Sequence, residues 1–315
     1  MNRFYATLLL CLTLVALRPN VGFAIILYDT GDPSANTTRP NGPNGFGWDF
    51  QGQIGSFLGT AIAPNYFITA QHFGIFANGT NFTYQGSTFQ TTASFTDTGS
   101  DLVIYQVNGT FNSYASLYTN AGGEVGQGLY VFGRGTQRGA QILVGSGNNQ
   151  HLAGWGWGAS DGVQRWGQNT VSAVENGFVE AAFDQISGVN EAALSAGDSG
   201  GGLFIQDGGV WKLAGINYAV SGPYSYNSDG SGAFNASLFD ARGLYENNGT
   251  SYTLDSGSTP VPSLLAATEI AGRLSFIDSV VVPEPGAGWC VLAGLSAWVA
   301  RVVWRRRTRR GHAAA

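Results

Sequence analysis

Cysteine is almost missing from this chain. The 315 residues hold two, Cys11 and Cys290, and both lie in terminal segments that read as separate from the folded domain. The long middle therefore has no thiol to act as nucleophile, no thiolate to hold a metal and no disulfide to brace an exported fold, which must rest on its apolar core alone. Histidine is nearly as scarce, at three residues, and no acidic cluster stands at ligand spacing, so neither a metal nor another cofactor is expected. Charge of either sign is thin, at 11%. Setting aside Arg3, Arg18, Glu284 and the six arginines of residues 301–310 leaves 7 basic and 19 acidic residues, a net of −12. Such a surface excludes nucleic acid as a partner, because phosphate binding needs a basic face.

What is abundant is glycine, at 47 residues, together with 13% aromatics. That balance fits short strands joined by tight turns and argues against a helical bundle. Residues 25–50 are rich in Gly, Pro and Asn and read as an extended lead-in. Strands are expected over 54–63 and 66–70, and hairpins over 78–107. Leu203 to Ile205 and Leu213 to Ile216 flank a turn at Asp207-Gly208-Gly209. Leu264 to Ile277 places Ile270, Leu274 and Ile277 on one stripe, which predicts a C-terminal helix. Trp155-Gly156-Trp157 and Arg165-Trp166-Gly167 read as packing and turn residues. Six Asn-x-Ser/Thr sites, at Asn36, Asn78, Asn81, Asn108, Asn235 and Asn248, read as turns and not as sugar attachments.

Both ends carry targeting signals. Residues 1–24 combine Arg3, the apolar run Leu8 to Leu17 and the small residues Gly22 and Ala24, the pattern of a signal peptide cleaved on export. Residues 281–315 combine Pro283-Glu284-Pro285, an apolar stretch from Ala287 to Trp304 of about bilayer-spanning length, and a cluster from Arg305 to Arg310. Arginines on that flank hold it in the cytoplasm and leave the domain, residues 25–280, outside. The expected localisation is thus an exported, membrane-anchored protein. This tail resembles the PEP-CTERM sorting signal, which implies an exosortase-type sorting enzyme as a partner and release to the cell surface or extracellular matrix as an option.

Three motifs carry the chemistry. Ser195-Ala196-Gly197-Asp198-Ser199-Gly200-Gly201-Gly202 sets a serine among glycines ahead of an apolar run, where its hydroxyl stands clear of the backbone and nearby amides converge. Ile68-Thr69-Ala70-Gln71-His72 ends a short strand on a histidine, and Asp101-Leu102-Val103-Ile104 opens a strand on an aspartate. In chain order they read His, Asp, Ser. The three together resemble the trypsin/chymotrypsin-like serine proteases, over roughly residues 50 to 280. The resemblance implies an all-β fold of two six-stranded antiparallel barrels of chymotrypsin type with a C-terminal helix. It also implies an endopeptidase acting on polypeptide through His72, Asp101 and Ser199, with the Gly197 and Ser199 amides as oxyanion hole. Asp97, four residues before Asp101, is the competing carboxylate, but it stands at no strand entrance.

Four further expectations follow from the resemblance. Asp198 is the residue that, in the family, receives a new N-terminal ammonium; cleavage after Ala24 would supply one at Ile25 with no propeptide. Ala193 stands six residues before the nucleophile, where a trypsin-type enzyme has its aspartate, so the pocket floor should be uncharged and suit small or medium apolar side chains. Asn217 and Tyr218 should form the pocket wall, which departs from the family pattern. Phe73 occupies the place of a family cysteine. Two rival readings are a catalytically inactive trypsin-fold surface or adhesion protein and a serine esterase; esterases favour a different motif and residue order.

Overall fold

The computed structural model describes residues 25–184 and 188–281. The expected signal peptide, and the PEP-CTERM motif, apolar stretch and basic tail beyond Val281, lie outside those residues. Among the described residues no helix is long and apolar enough to cross a membrane.

Two closed antiparallel barrels of six strands each dominate the fold, the architecture that the motif resemblance implies, with one two-stranded and two three-stranded sheets beside them among the described residues. Around the first run Gln51–Ile54, Phe57–Ala63, Tyr66–Ala70, Leu102–Val107, Ser87–Thr96 and Asn81–Tyr84. Around the second run Arg165–Glu175, Phe178–Ala182, Leu264–Glu269, Val210–Val220, Gly202–Asp207 and Gly128–Gly133. Closure leaves neither sheet an edge to aggregate through.

Several of these strands are apolar at successive positions because both their faces are covered. In Tyr66–Ala70, Phe67 points into the first barrel while Ile68 and Ala70 face the second. In Leu102–Val107, Val103 and Tyr105 point in while Leu102 and Ile104 face across. The period-two alternation thus supplies a barrel core and an inter-barrel core from one segment. The first interior is aromatic, with Phe67 stacked on Phe82 at a centroid distance of 3.8 Å. The second is aliphatic, built from residues such as Leu129, Val131, Leu203 and Leu265.

In place of a disulfide beside His72, Phe73 lies flat on Phe57, centroids 3.9 Å apart and planes 6° from parallel. Stacking thus ties the loop after His72 to the strand Phe57–Ala63.

The helix expected over Leu264 to Ile277 is shorter than that. Leu264–Glu269 is a barrel strand, paired with Phe178–Ala182 on one side and Val210–Val220 on the other, and the α-helix is Leu274–Val281. The stripe holds only from Ile270 on, where Ile270 and Ile277 bury between the barrels; before it, Leu265 and Ala267 alternate into the barrel core as strand residues. The lead-in also holds more order than its composition suggests. Ile26 and Leu27 pair with Ala193 and Ala192, which fastens residues 26–27 to the second barrel's flank.

Candidate active site

His72 opens the loop after Tyr66–Ala70, and Asp101 sits at the mouth of Leu102–Val107, the strand paired with Tyr66–Ala70. That pairing brings the two within reach although 29 residues separate them. Asp101 accepts twice from His72: Oδ1 from the backbone amide at 2.9 Å, and Oδ2 from ring Nδ1 at 2.7 Å. With Nδ1 carrying the proton, Nε2 is left as an acceptor, and it stands 2.8 Å from Ser199 Oγ. Asp97 is engaged otherwise. Its carboxylate accepts from the Gly99 amide and the Ser100 hydroxyl and pairs with Arg273 at 3.7 Å, a brace between this loop and the start of the C-terminal helix. His151 lies apart, 3.6 Å from Asp240.

The serine loop is shaped by glycines where other residues could not stand. Gly197 has φ +93°, and a Cβ there would meet Gly135 Cα at 2.9 Å. Gly200 has φ +80°, and a Cβ there would lie 2.2 Å from Thr69 Oγ1 and 2.6 Å from the Leu58 carbonyl. The turn is pinned by the Asp198 amide donating to the Ser195 carbonyl, the Gly200 amide to the Asn217 carbonyl and the Gly201 amide to the Asp198 carbonyl. Among the described residues the Gly197 and Ser199 amides donate to nothing, so both are available to one acceptor beside Ser199 Oγ.

Asp198 points the other way, 1% exposed, into the second barrel's flank. Its Oδ1 accepts from the Gly135 amide at 2.7 Å; its Oδ2 accepts from the Ser195 amide at 2.7 Å, the Ser195 hydroxyl at 2.9 Å and the Ile25 amide at 3.4 Å. Burial pushes the carboxyl up to about 6, against the lowering effect of those donors.

Beside the loop opens a cleft of about 240 Å³. Its walls are Leu194 to Ala196 on one side, Asn217 to Val220 on the other, and the Trp157 indole. Tyr218 lines it, its ring 5.5 Å from that of His72 and stacked on Phe178. Asn217 is 1% exposed and acts as a brace, its Nδ2 donating to the Phe132 and Asp198 carbonyls. Ala193 is corrected: it does not line the cleft. Its pairing with Ile26 turns it into a cluster with Trp155 and Phe183. Sequence reasoning missed Trp157, for which no local signal distinguishes it from the buried Trp155, and Gln51. The latter is buried under the serine loop, where its Oε1 accepts from the Gly202 amide at 3.1 Å and its Nε2 donates to Thr60.

Among the described residues no group of three or more His, Cys, Asp or Glu side chains could hold a metal ion.

No family model matches the chain, and no curated protein matches it. Among solved structures it is similar to a mutant of human heparin binding protein, with 17% identity over 76% of this chain and 94% of that one and a TM-score of 0.47. It is similar to an atomic-resolution structure of HBP to the same degree, 17% identity over 76% and 95% with a TM-score of 0.47.

Proposed function

We propose that this protein is a serine hydrolase that cuts peptide bonds through an acyl-enzyme, with His72, Asp101 and Ser199 as its catalytic residues. The observation that carries the reading is the unbroken line of hydrogen bonds from Asp101 Oδ2 through His72 to Ser199 Oγ, at 2.7 and 2.8 Å, beside two unengaged amides. In this reading Nε2 takes the hydroxyl proton as Oγ attacks the carbonyl carbon, and Asp101 holds the tautomer and balances the imidazolium. The oxyanion forms against the Gly197 and Ser199 amides. His72 then delivers the proton to the leaving nitrogen, and water repeats the sequence on the acyl-enzyme. The cleft walled by Trp157, Tyr218 and Val220 carries no unpaired charge and fits small or medium apolar side chains on the acyl side.

Activation belongs to the same proposal. The Ile25 nitrogen already lies 3.4 Å from Asp198 Oδ2 in a buried site. Cleavage before Ile25 converts that amide into an ammonium facing the carboxylate, and it relieves a β-branched residue of φ +57°. Export, removal of residues 1–24 and a membrane tether at the far end stand with it as parts of the reading.

Fluorophosphonate labelling tests the proposal. The expected result is covalent labelling of the parent protein and none of Ser199→Ala. A parent protein that stays unlabelled while folded overturns the reading and leaves the non-catalytic surface protein in its place; a peptide library then separates peptidase from esterase.

A further inference from the structure

Cations are rare in this domain, and nearly all are accounted for. Of its seven, Arg39, Arg165, Lys212, Arg242 and Arg273 are held in ion pairs. Arg138 lies 3.4 Å over the Trp155 ring and donates to the Leu27 and Tyr28 carbonyls. Arg134 is the exception: among the described residues its guanidinium has no ion pair and no hydrogen bond. It is half-buried, and desolvation lowers its pKa, with only the field of Asp161 opposing. Asp161 is itself taken by Arg165, at 2.9 Å. A cation withdrawn from water without a partner is costly unless something arrives to pair with it.

Arg134 lines a cavity of about 340 Å³ between the barrels. Gln164 also lines it, and its Nε2 is buried without an acceptor. The one carboxylate in the lining, Asp49, is held by Arg39 through two hydrogen bonds of 2.7 and 2.8 Å. The cavity therefore presents surplus donors and positive charge inside a domain of net −12.

Its position relates it to the serine loop. Leu58 lines the cavity, and the Leu58 carbonyl closes on Gly200, just after the nucleophile. Arg134 adjoins Gly135, whose amide holds Asp198 and whose backbone packs on Gly197. The apolar cleft is lined by the serine loop itself and shares no lining residue with this cavity, so the two are separate spaces that both adjoin that loop.

We infer that the Arg134 cavity takes a carboxylate of the polypeptide on the leaving-group side of the scissile bond. The guanidinium supplies a planar fork matched to a carboxylate, with the Gln164 amide beside it. The orientation rests on the hydrolase reading; the chemistry rests on the cavity. The carboxylate is that of an acidic side chain or of the peptide's own C-terminus.

The test is binding, which needs no turnover. Full-length Ser199→Ala is titrated with three short peptides: a C-terminal amide bearing Glu on the leaving side, its Gln counterpart, and the Gln peptide with a free C-terminus. Binding is read by calorimetry and by fluorescence, Trp48 being part of the cavity wall. The Glu peptide or the free-acid peptide should bind about 10-fold more tightly than the neutral one, and which of the two does so identifies the carboxylate. In Arg134→Gln the ratio should fall to near one, and Arg134→Lys should keep part of it. Equal binding of acidic and neutral peptides, or an acid preference that survives Arg134→Gln with native near-ultraviolet circular dichroism, overturns the inference. Acid-selective binding by a protein whose Ser199 does not label keeps the carboxylate site and removes its hydrolytic orientation.

Discussion

The Asp198 carboxyl offers a prediction whose size can be worked from its surroundings. The perturbation is one residue: a chain beginning at Ile25 is compared with one that keeps Ala24 in front. With Ala24 present the carboxyl faces only neutral donors, and burial raises it from 3.8 to about 6. A folded-state value above the unfolded one means that folding takes up a proton. The stability tied to this group is therefore full below pH 3.8 and lost as pH rises through 6, a loss of about 3 kcal/mol. With Ile25 as N-terminus, the ammonium opposes burial and brings the carboxyl back down, by about 1 to 3 kcal/mol in its effect at pH 7. The free amine adds its own signature. An ordinary α-amino group titrates near 8, and one held by a carboxylate titrates higher, so its contribution persists below about pH 8 and disappears above. Urea unfolding from pH 4 to 9 measures both chains. Between pH 4 and 7 the chain with Ala24 should lose stability relative to the chain without it, and it should label more slowly with fluorophosphonate, because Asp198 anchors the loop that carries the two amides. Superimposable stability curves with equal labelling rates would refute the reasoning.

Four further outcomes are expected. On the proposed mechanism His72→Ala should lower kcat about 10⁴-fold or more, because the proton relay from Ser199 is lost, while the thermal unfolding temperature barely moves, the ring being partly exposed. Gly200→Ala should cost about 2 kcal/mol or more, seen as a lower Tm, because the new Cβ falls 2.2 Å from Thr69 Oγ1 at a φ of +80°. Phe57→Ala should cost about 1 to 3 kcal/mol through loss of the Phe73 stack, whereas a thiol reductant should leave the domain's Tm unchanged, there being no cysteine between residues 25 and 281. Val220→Gly should widen the cleft and shift the cleavage preference toward larger acyl-side residues about 10-fold, as read from a peptide library.

Much of the fold was legible from the chain. Alternation and β-branched runs mark Tyr66–Ala70 and Leu102–Val107 as strands, and the two glycines at 208 and 209 mark the turn between Gly202–Asp207 and Val210–Val220. The reading failed at Leu264–Glu269, which the expected helix includes although the stripe of Ile270, Leu274 and Ile277 begins only after it. The short apolar run Leu264-Leu265-Ala266-Ala267 satisfies both periods, and only pairing with strands on either side decides between them. Ala193 failed for a related cause. Counting back from Ser199 assigns it a place in the chain, but which way its side chain points depends on pairing with Ile26, 167 residues earlier.

By itself the sequence determined the residue types and their order. A histidine, an aspartate and a serine each stand at a strand end or a glycine turn; no thiol lies in the domain; cations are few; and the strands are apolar on both faces. These are properties of local pattern and composition, which need no partner segment to be read. Only the tertiary structure decided that Ala193 turns away from the cleft, that Trp157 walls the cleft while Trp155 is buried, and that Arg134 is left without a counter-charge. Each depends on segments distant in sequence meeting at separations of a few ångströms, where hydrogen bonding and burial act and where the order of residues along the chain holds no distance information.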